Sequence, residues 1–292
     1  MKIYDCTTFH SEHMMMDVRF NALNEHVHKF IVVESLFSHS GEKKKLNFDI
    51  NNYPKFKDKI IYLVIDREPD DLINPLNENI QYKRINSIKR IELSYDFMMS
   101  EIKKLSDNDL IILSDNDEIP NLDSTQFKDS NSDIYIFKQL FFYYKFNLLY
   151  DRMYWFGSKA CTKKKLKSLS WLRNLKNKKY PFWRMDTFFS KTKNSSLKII
   201  NDGGWHFTNV MSAENLYTKM TNFGHHDEFE LSELSVEDLK IKINQGLVFY
   251  DHFAGQEDKN KWEFNYKLKK ISDNLLPDSL IKDKIKLKEW FN

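Results

Sequence analysis

Residues 106–120 read SDNDLIILSDNDEIP, the tetrapeptide Ser-Asp-Asn-Asp twice with an apolar run between the copies. The run is too short for a globular helix and is β-branched, so 109–114 reads as a strand buried on both faces. Each copy closes one end of it, because Ser, Asp and Asn bond their own backbone and favour turns. Working outward, FIVVES (30–35) and KIIYLVI (59–65) are strands of the same kind, and residues 11–27 and 77–105 between them have helical length and periodicity. That alternation predicts an α/β fold, a twisted, mainly parallel sheet flanked by helices. In such a sheet ligands bind beyond the carboxyl ends of the strands. The first tetrapeptide precedes its strand, so Asp107 and Asp109 are expected in a solvated turn. The second follows it, and Asp115, Asp117 and Glu118 fall where a ligand would sit.

After Pro120 the pattern changes. Residues 132–150 and 152–162 read as longer antiparallel strands, followed by a Lys/Asn-rich loop region and by SLKIINDGGWHFT (196–208). Helices return at 212–223 and at 235–246, where Ser235 and Asp238 have capping-box spacing and Gly246 stands as a stop. No repeat and no Pro/Gly/Ser linker is visible. One domain over 1–292 is therefore expected, with a nucleotide-type half to 120 and a variable half with C-terminal helices from 121.

Composition narrows the chemistry. With 41% apolar and 15% aromatic residues in 292, the chain can build a sizeable core. Its 45 Lys and Arg nearly balance 42 Asp and Glu, which argues against nucleic acid as a partner. Cys6 and Cys161 are too few for a disulfide framework or a zinc site, so a reducing, cytoplasmic setting is the default. No run reaches the ~18 apolar residues of a membrane span, and the first residues lack a signal peptide's apolar core. The seven glycines exclude a P-loop, a G-x-G-x-x-G fingerprint and a G-x-S-x-G elbow. A nucleotide, if bound, is bound without a glycine-rich cradle.

The acidic pair Asp115 and Asp117 suits a hard divalent cation shared with phosphate oxygens. An EF-hand is ruled out, because Ile119 and Pro120 occupy the fifth and sixth places of the loop. Three ordered islands then carry a resemblance: residues 9–48, from FHSEHMMMDVRF to GEKKKLNF, LSDNDEIP (113–120) and IINDGGWHF (199–207). Together they resemble glycosyltransferase family 17, over roughly residues 1–225.

The resemblance implies a GT-A type nucleotide-diphospho-sugar transferase fold and inverting transfer, with N-acetylglucosamine from a UDP-sugar as the first donor candidate. Mn²⁺ or Mg²⁺ held by the D-x-D would neutralise the leaving diphosphate. Asp117 is the first ligand, Asp115 the second or a ribose contact, and His206 the late-chain addition to the metal shell. Gly203 and Gly204 would admit backbone close to the diphosphate or sugar. Asp202 is the first choice for the base that takes the acceptor proton, and Glu118 the second. Glu34 and Ser35 would seat the nucleoside, and Lys43 lies in a loop able to close over it.

Each assignment has a structural rival. His206 also fits a satisfied core histidine, Glu118 a helix cap, Lys43 a solvated run, Arg84 and Arg90 a surface face, and Trp155 and Trp205 core packing rather than sugar stacking. The last stretch, LIKDKIKLKEWFN (280–292), suits either a terminal helix docked on the domain or contact with an anionic membrane surface. The acceptor is expected to be a glycan or lipid-linked glycan of surface polysaccharide synthesis at the cytoplasmic face. A sugar-nucleotide- or glycan-binding module without turnover is the alternative.

Overall fold

The computed structural model describes residues 1–74, 80–181, 190, 192–222, 229, 232–255 and 258–292. Strands β1 (Ile3–Phe9), β2 (Lys29–Ser35), β3 (Ile60–Ile65) and β4 (Leu110–Leu113) lie parallel in the order β3-β2-β1-β4. The three expected apolar strands are β2, β3 and β4, matched within a residue at each end. The interior strand β1 was not expected, since Asp5 and Thr7 interrupt its apolar pattern and yet are buried. Helices α1 (His13–Leu23) and α2 (Ile80–Ile102) cover opposite faces. Phe30 and Val32 share a core with Met16 and Phe20 of α1, and Ile31 and Val33 share one with Tyr95 and Met98 of α2. This alternation explains why β2 reads as continuously apolar. Residues 77–79 of the expected second helix lie outside the described residues.

From Pro120 onward the expectation needs correcting. The predicted long strand over 132–150 breaks at Lys138 and Gln139 into β6 (Ile134–Phe137) and β7 (Leu140–Tyr143), which follow β5 (Glu118–Pro120) and belong to different sheets. The chain continues with β8 (Leu148–Leu149), β9 (Lys159–Thr162), β10 (Lys198–Ile200), β11 (Gly204–Thr208) and β12 (Lys269–Lys270). The seven-stranded sheet runs β10-β6-β9-β4-β1-β2-β3, with β9 antiparallel to both neighbours. A second sheet of order β12-β8-β7-β11-β5 has β7 and β11 parallel and its other pairs antiparallel. The fold is α/β as expected, but its sheets are mixed rather than mainly parallel.

Short helices α3 (Thr125–Lys128) and α4 (Leu169–Arg173) precede α5 (Ala213–Asn222), α6 (Val236–Gln245) and α7 (Asp278–Lys282). Ser235 and Asp238 form the reciprocal capping box of α6, and Gly246 ends it in the left-handed conformation, as their spacing predicts. The predicted helix at 212–223 is α5, and Phe223 lies outside the described residues. Leu216 and Leu239 seat α5 and α6 on a third core with Phe141, Tyr143 and Phe249. The C-terminal stretch docks: Leu280 and Leu287 are buried, and Phe146 N donates to Trp290 O. Among the described residues no helix is long and apolar enough to cross a membrane.

Candidate functional site

The second tetrapeptide, Ser114–Asp117, links β4 to β5 at the carboxyl edge of the large sheet, and α1 holds it there. Arg19 is fully buried and forms a two-point ion pair with Asp5 of β1, Nη2 to Oδ1 at 2.6 Å and Nε to Oδ2 at 2.8 Å. Its other N–H groups donate to Asp115 O at 3.0 Å, Glu118 O at 2.8 Å, Asn116 O at 3.5 Å and Ser114 Oγ at 2.6 Å. One guanidinium thus ties four residues of the 114–118 loop to strand β1. Only arginine offers five donors in a rigid fork for such a task. Glu12, just before α1, adds a bond from Asn116 Nδ2 at 3.0 Å.

Glu118 is fully buried on β5 and its carboxylate is saturated. It accepts from Asp115 N at 2.8 Å, Trp155 Nε1 at 2.6 Å and Arg173 Nη1 at 2.8 Å. Gly157 makes room for it, because a Cβ there would stand 1.9 Å from Glu118 Oε1. Burial alone would raise this carboxyl, but Arg173 outweighs it and holds the group below its usual range. Glu118 therefore positions Arg173 and the loop, and is neither a free base nor a helix cap. Glu118→Gln turns one acceptor oxygen into a donor facing a donor. A stability loss of about 2 kcal/mol in urea denaturation is expected, and a loss under about 0.5 kcal/mol would refute the saturated role.

The pairing of β5 with β11 brings His206 to the loop: His206 stands opposite Glu118, and Phe207 N donates to Asp117 O at 2.8 Å. His206 is 6% exposed and its ring packs against those of Phe141 and Trp155, at centroid distances of 4.7 and 4.6 Å, in a cluster where the latter two also touch at 5.3 Å. Its Nε2 faces Asp117 Oδ1 at 3.4 Å, and its Nδ1 is buried without a hydrogen-bond partner. Lys219, from α5, places Nζ 3.7 Å from Asp117 Oδ2. Desolvation opposes charge on Asp117, yet His206 and then Lys219 outweigh it and hold this carboxyl well below the usual range. Asp115 differs: 53% of its side chain is exposed, and Arg173 Nη2 binds Oδ2 at 2.7 Å. Its carboxyl is nonetheless raised, by desolvation first and then by the charges of Glu118 and Asp117, with Arg173 opposing.

As a metal site the arrangement is partial. Among the described residues no three His, Cys, Asp or Glu converge as a ready-made cation cage. Asp117 Oδ1 and His206 Nε2 nevertheless form an O/N donor pair of the kind Mn²⁺ accepts, although Nδ1 has, among the described residues, no partner of the kind that ordinarily orients a ligating imidazole. The residues fit a cation that draws its remaining ligands from a substrate.

Other predicted positions fall elsewhere. Asp202 is exposed and accepts from Asn121 Nδ2 at 3.0 Å. It lies past the Pro120 end of the β5–β11 pairing, whereas Asp117 lies past the Glu118 end, so the two are not brought together. Gly203 and Gly204 serve packing: a Cβ would stand 2.3 Å from Lys138 N and 2.2 Å from Ile119 O respectively, and Gly204 has φ +110°. Glu34 is buried and accepts from Asn47 N, Phe48 N and Tyr62 Oη, with Lys44 as ion partner, so it fastens the loop after β2. Ser35 Oγ caps that loop through Phe37 N. Lys43 is exposed, and its neighbour Lys44 is the one that turns inward. Arg90 pairs with Glu68 beneath the same loop. Trp155 spends one face on His206, and Trp205 bonds Leu275 O. The first tetrapeptide is structural as expected, although Asp109 is buried and holds Lys2 N at 2.8 Å rather than being solvated.

Sequence reading missed Arg19, Arg173, Gly157 and Lys219. Arg19 carries a signal, since it stands between Met15 and Leu23 on the buried stripe of α1, where an unpaired charge would be costly. Arg173 likewise adjoins the buried Leu172 of α4. Lys219 is one polar residue among several on α5 and carries none.

Fold and site together define an α/β protein with an acidic, arginine-clamped loop at the carboxyl edge of its large sheet. The family model of glycosyltransferase family 17 matches residues 1–256, and the chain belongs to that family, hence to the glycosyltransferases. Comparison with curated proteins found no match.

Proposed function

We propose that the chain is a metal-dependent, inverting glycosyltransferase of GT-A topology over 1–292. It would move a sugar, with N-acetylglucosamine from its UDP-sugar the first candidate, to the hydroxyl of a glycan or lipid-linked glycan. The observation that carries this reading is the Asp115–Asn116–Asp117 loop, clamped by Arg19 at the carboxyl edge of the sheet with His206 facing Asp117. The strand order, parallel but for β9, supports a nucleotide-sugar fold. Asp117 and His206, with Asp115 second, would hold Mn²⁺ or Mg²⁺, which when bound supplies positive charge to the departing diphosphate. Arg19 and Glu118 keep the loop from relaxing, so that the carboxylates need no reorganisation when charge develops.

Release of UDP from UDP-N-acetylglucosamine in the presence of Mn²⁺, accelerated by a glycan acceptor, tests the reading. A panel of sugar nucleotides that yields no nucleoside diphosphate would defeat it, and tight binding without release would favour a binding module. The same assay resolves Asp202. Loss of a general base costs about 10² or more in rate, but from its exposed position beside Asn121, Asp202→Asn is expected to keep transfer within about threefold of wild type. A hundredfold loss with unchanged UDP affinity would restore it as the base.

A further inference from the structure

Both carboxylates of the D-x-D carry an intramolecular cation supplied by the second half of the chain, and the two cations are held very differently. Arg173 is locked. Its Nη1 donates to Glu118 Oε2 at 2.8 Å and Gly157 O at 3.0 Å, and its Nη2 to Asp115 Oδ2 at 2.7 Å and Glu118 Oε1 at 3.2 Å. Moving it would strand the buried Glu118. Lys219 meets Asp117 at 3.7 Å, beyond hydrogen-bond reach, and no hydrogen bond to its Nζ is found among the described residues. It is a strongly hydrated charge on a flexible four-carbon stem, able to change partner at little cost.

Its position gives that freedom a use. Lys219 reaches from α5 to the point where the carboxyl ends of β1 and β4 meet, and its charge acts on Glu12 and His10 after β1 as well as on Asp117. An anionic ligand at a parallel sheet lies beyond those strand ends. Asp117 Oδ1 faces His206 and Oδ2 faces Lys219, so a divalent cation taken up by Asp117 and His206 repels the ammonium group. The anions then open to it are the Glu12 carboxylate, which its charge already reaches, and the diphosphate of the donor.

Resting on the donor reading above, we propose that Lys219 is an exchangeable counter-ion: it neutralises Asp117 until a divalent cation binds there, and then turns to the donor diphosphate. Two consequences of opposite sign follow. Lys219 competes with the metal for Asp117, and it assists the nucleotide. Metal and nucleotide are thereby coupled, each favouring the other through the release of one side chain.

Isothermal titration with two probes, Mn²⁺ alone and UDP with or without Mn²⁺, tests this on wild type, Lys219→Met and Lys219→Arg. Lys219→Met is expected to bind Mn²⁺ alone about threefold to fivefold more tightly, the worth of a partly exposed ion pair, and UDP about tenfold more weakly, the worth of a charged hydrogen bond. The factor by which Mn²⁺ tightens UDP should shrink in the same variant, and Lys219→Arg should keep UDP affinity within about threefold. Wild type binding both probes while Lys219→Met matches it, or weakens both equally, overturns the exchange and leaves the donor reading intact. A wild type that binds neither probe overturns both.

Discussion

Asp117→Ala is expected to weaken Mn²⁺-dependent UDP binding by about a hundredfold or more, because losing even a supporting group of a metal site costs 10- to 100-fold and Asp117 is the proposed direct ligand. Its side chain is 13% exposed, but its partner Lys219 is 23% exposed on a flexible stem and can turn to water, and the Phe207 N bond to Asp117 O does not involve the side chain, so the folded chain should tolerate alanine there. The matched control is the same substitution in the other tetrapeptide. Asp109→Ala removes acceptors for Lys2 N and Ser106 N at the amino end of β4. It should lower stability by about 1 kcal/mol and leave UDP affinity unchanged. Titration of both variants decides the matter, and equal losses of UDP affinity from the two would end the strand-end argument.

Arg19→Met is expected to cost about 4 kcal/mol in chemical denaturation, the largest stability effect in the molecule outside its apolar core. The reason is not the lost attraction alone. Breaking a buried pair by removing one partner leaves the other uncompensated, here the Asp5 carboxylate at 0% exposure, and typically costs 3–5 kcal/mol. The carbonyls of Asp115, Asn116 and Glu118 would each lose a donor as well, Asp115 O keeping Glu118 N and Glu118 O keeping Ser158 Oγ. Asp5→Leu combined with Arg19→Met should recover part of the loss, since an apolar pair of similar volume removes the stranded charge. A single-variant loss below about 1 kcal/mol would show that water reaches Asp5 and that the clamp is not rigid.

These two substitutions also mark what could be read from residue order. Asp117 was legible because a buried four-residue strand needs polar turns at both ends, and only one end of a parallel strand faces a ligand. The alternating burial of β2 and the reciprocal cap of α6 followed from local chemistry in the same way, period and spacing sufficing for each. Arg19 was half legible, as a charge on an apolar stripe whose partner no spacing could name.

What residue order alone determined about this protein is its α/β character, the buried strands β2 to β4 and the placement of the two tetrapeptides at opposite ends of β4, all consequences of side-chain period and turn chemistry within a few residues. Tertiary structure alone decided the rest. β1 became an interior strand because Arg19 made a buried Asp5 tolerable, and the apolar run after Asp133 split between two sheets at Lys138. Glu118 turned from candidate base to brace because Trp155 and Arg173, 37 and 55 residues away in sequence, converge on it. Gly203 and Gly204 serve the backbone of β5 and Lys138 rather than a ligand, which leaves Asp202 at the wrong end of its strand. In each case the deciding partner is remote in sequence, and the environment that sets a charged group's role exists only once those partners have been brought together.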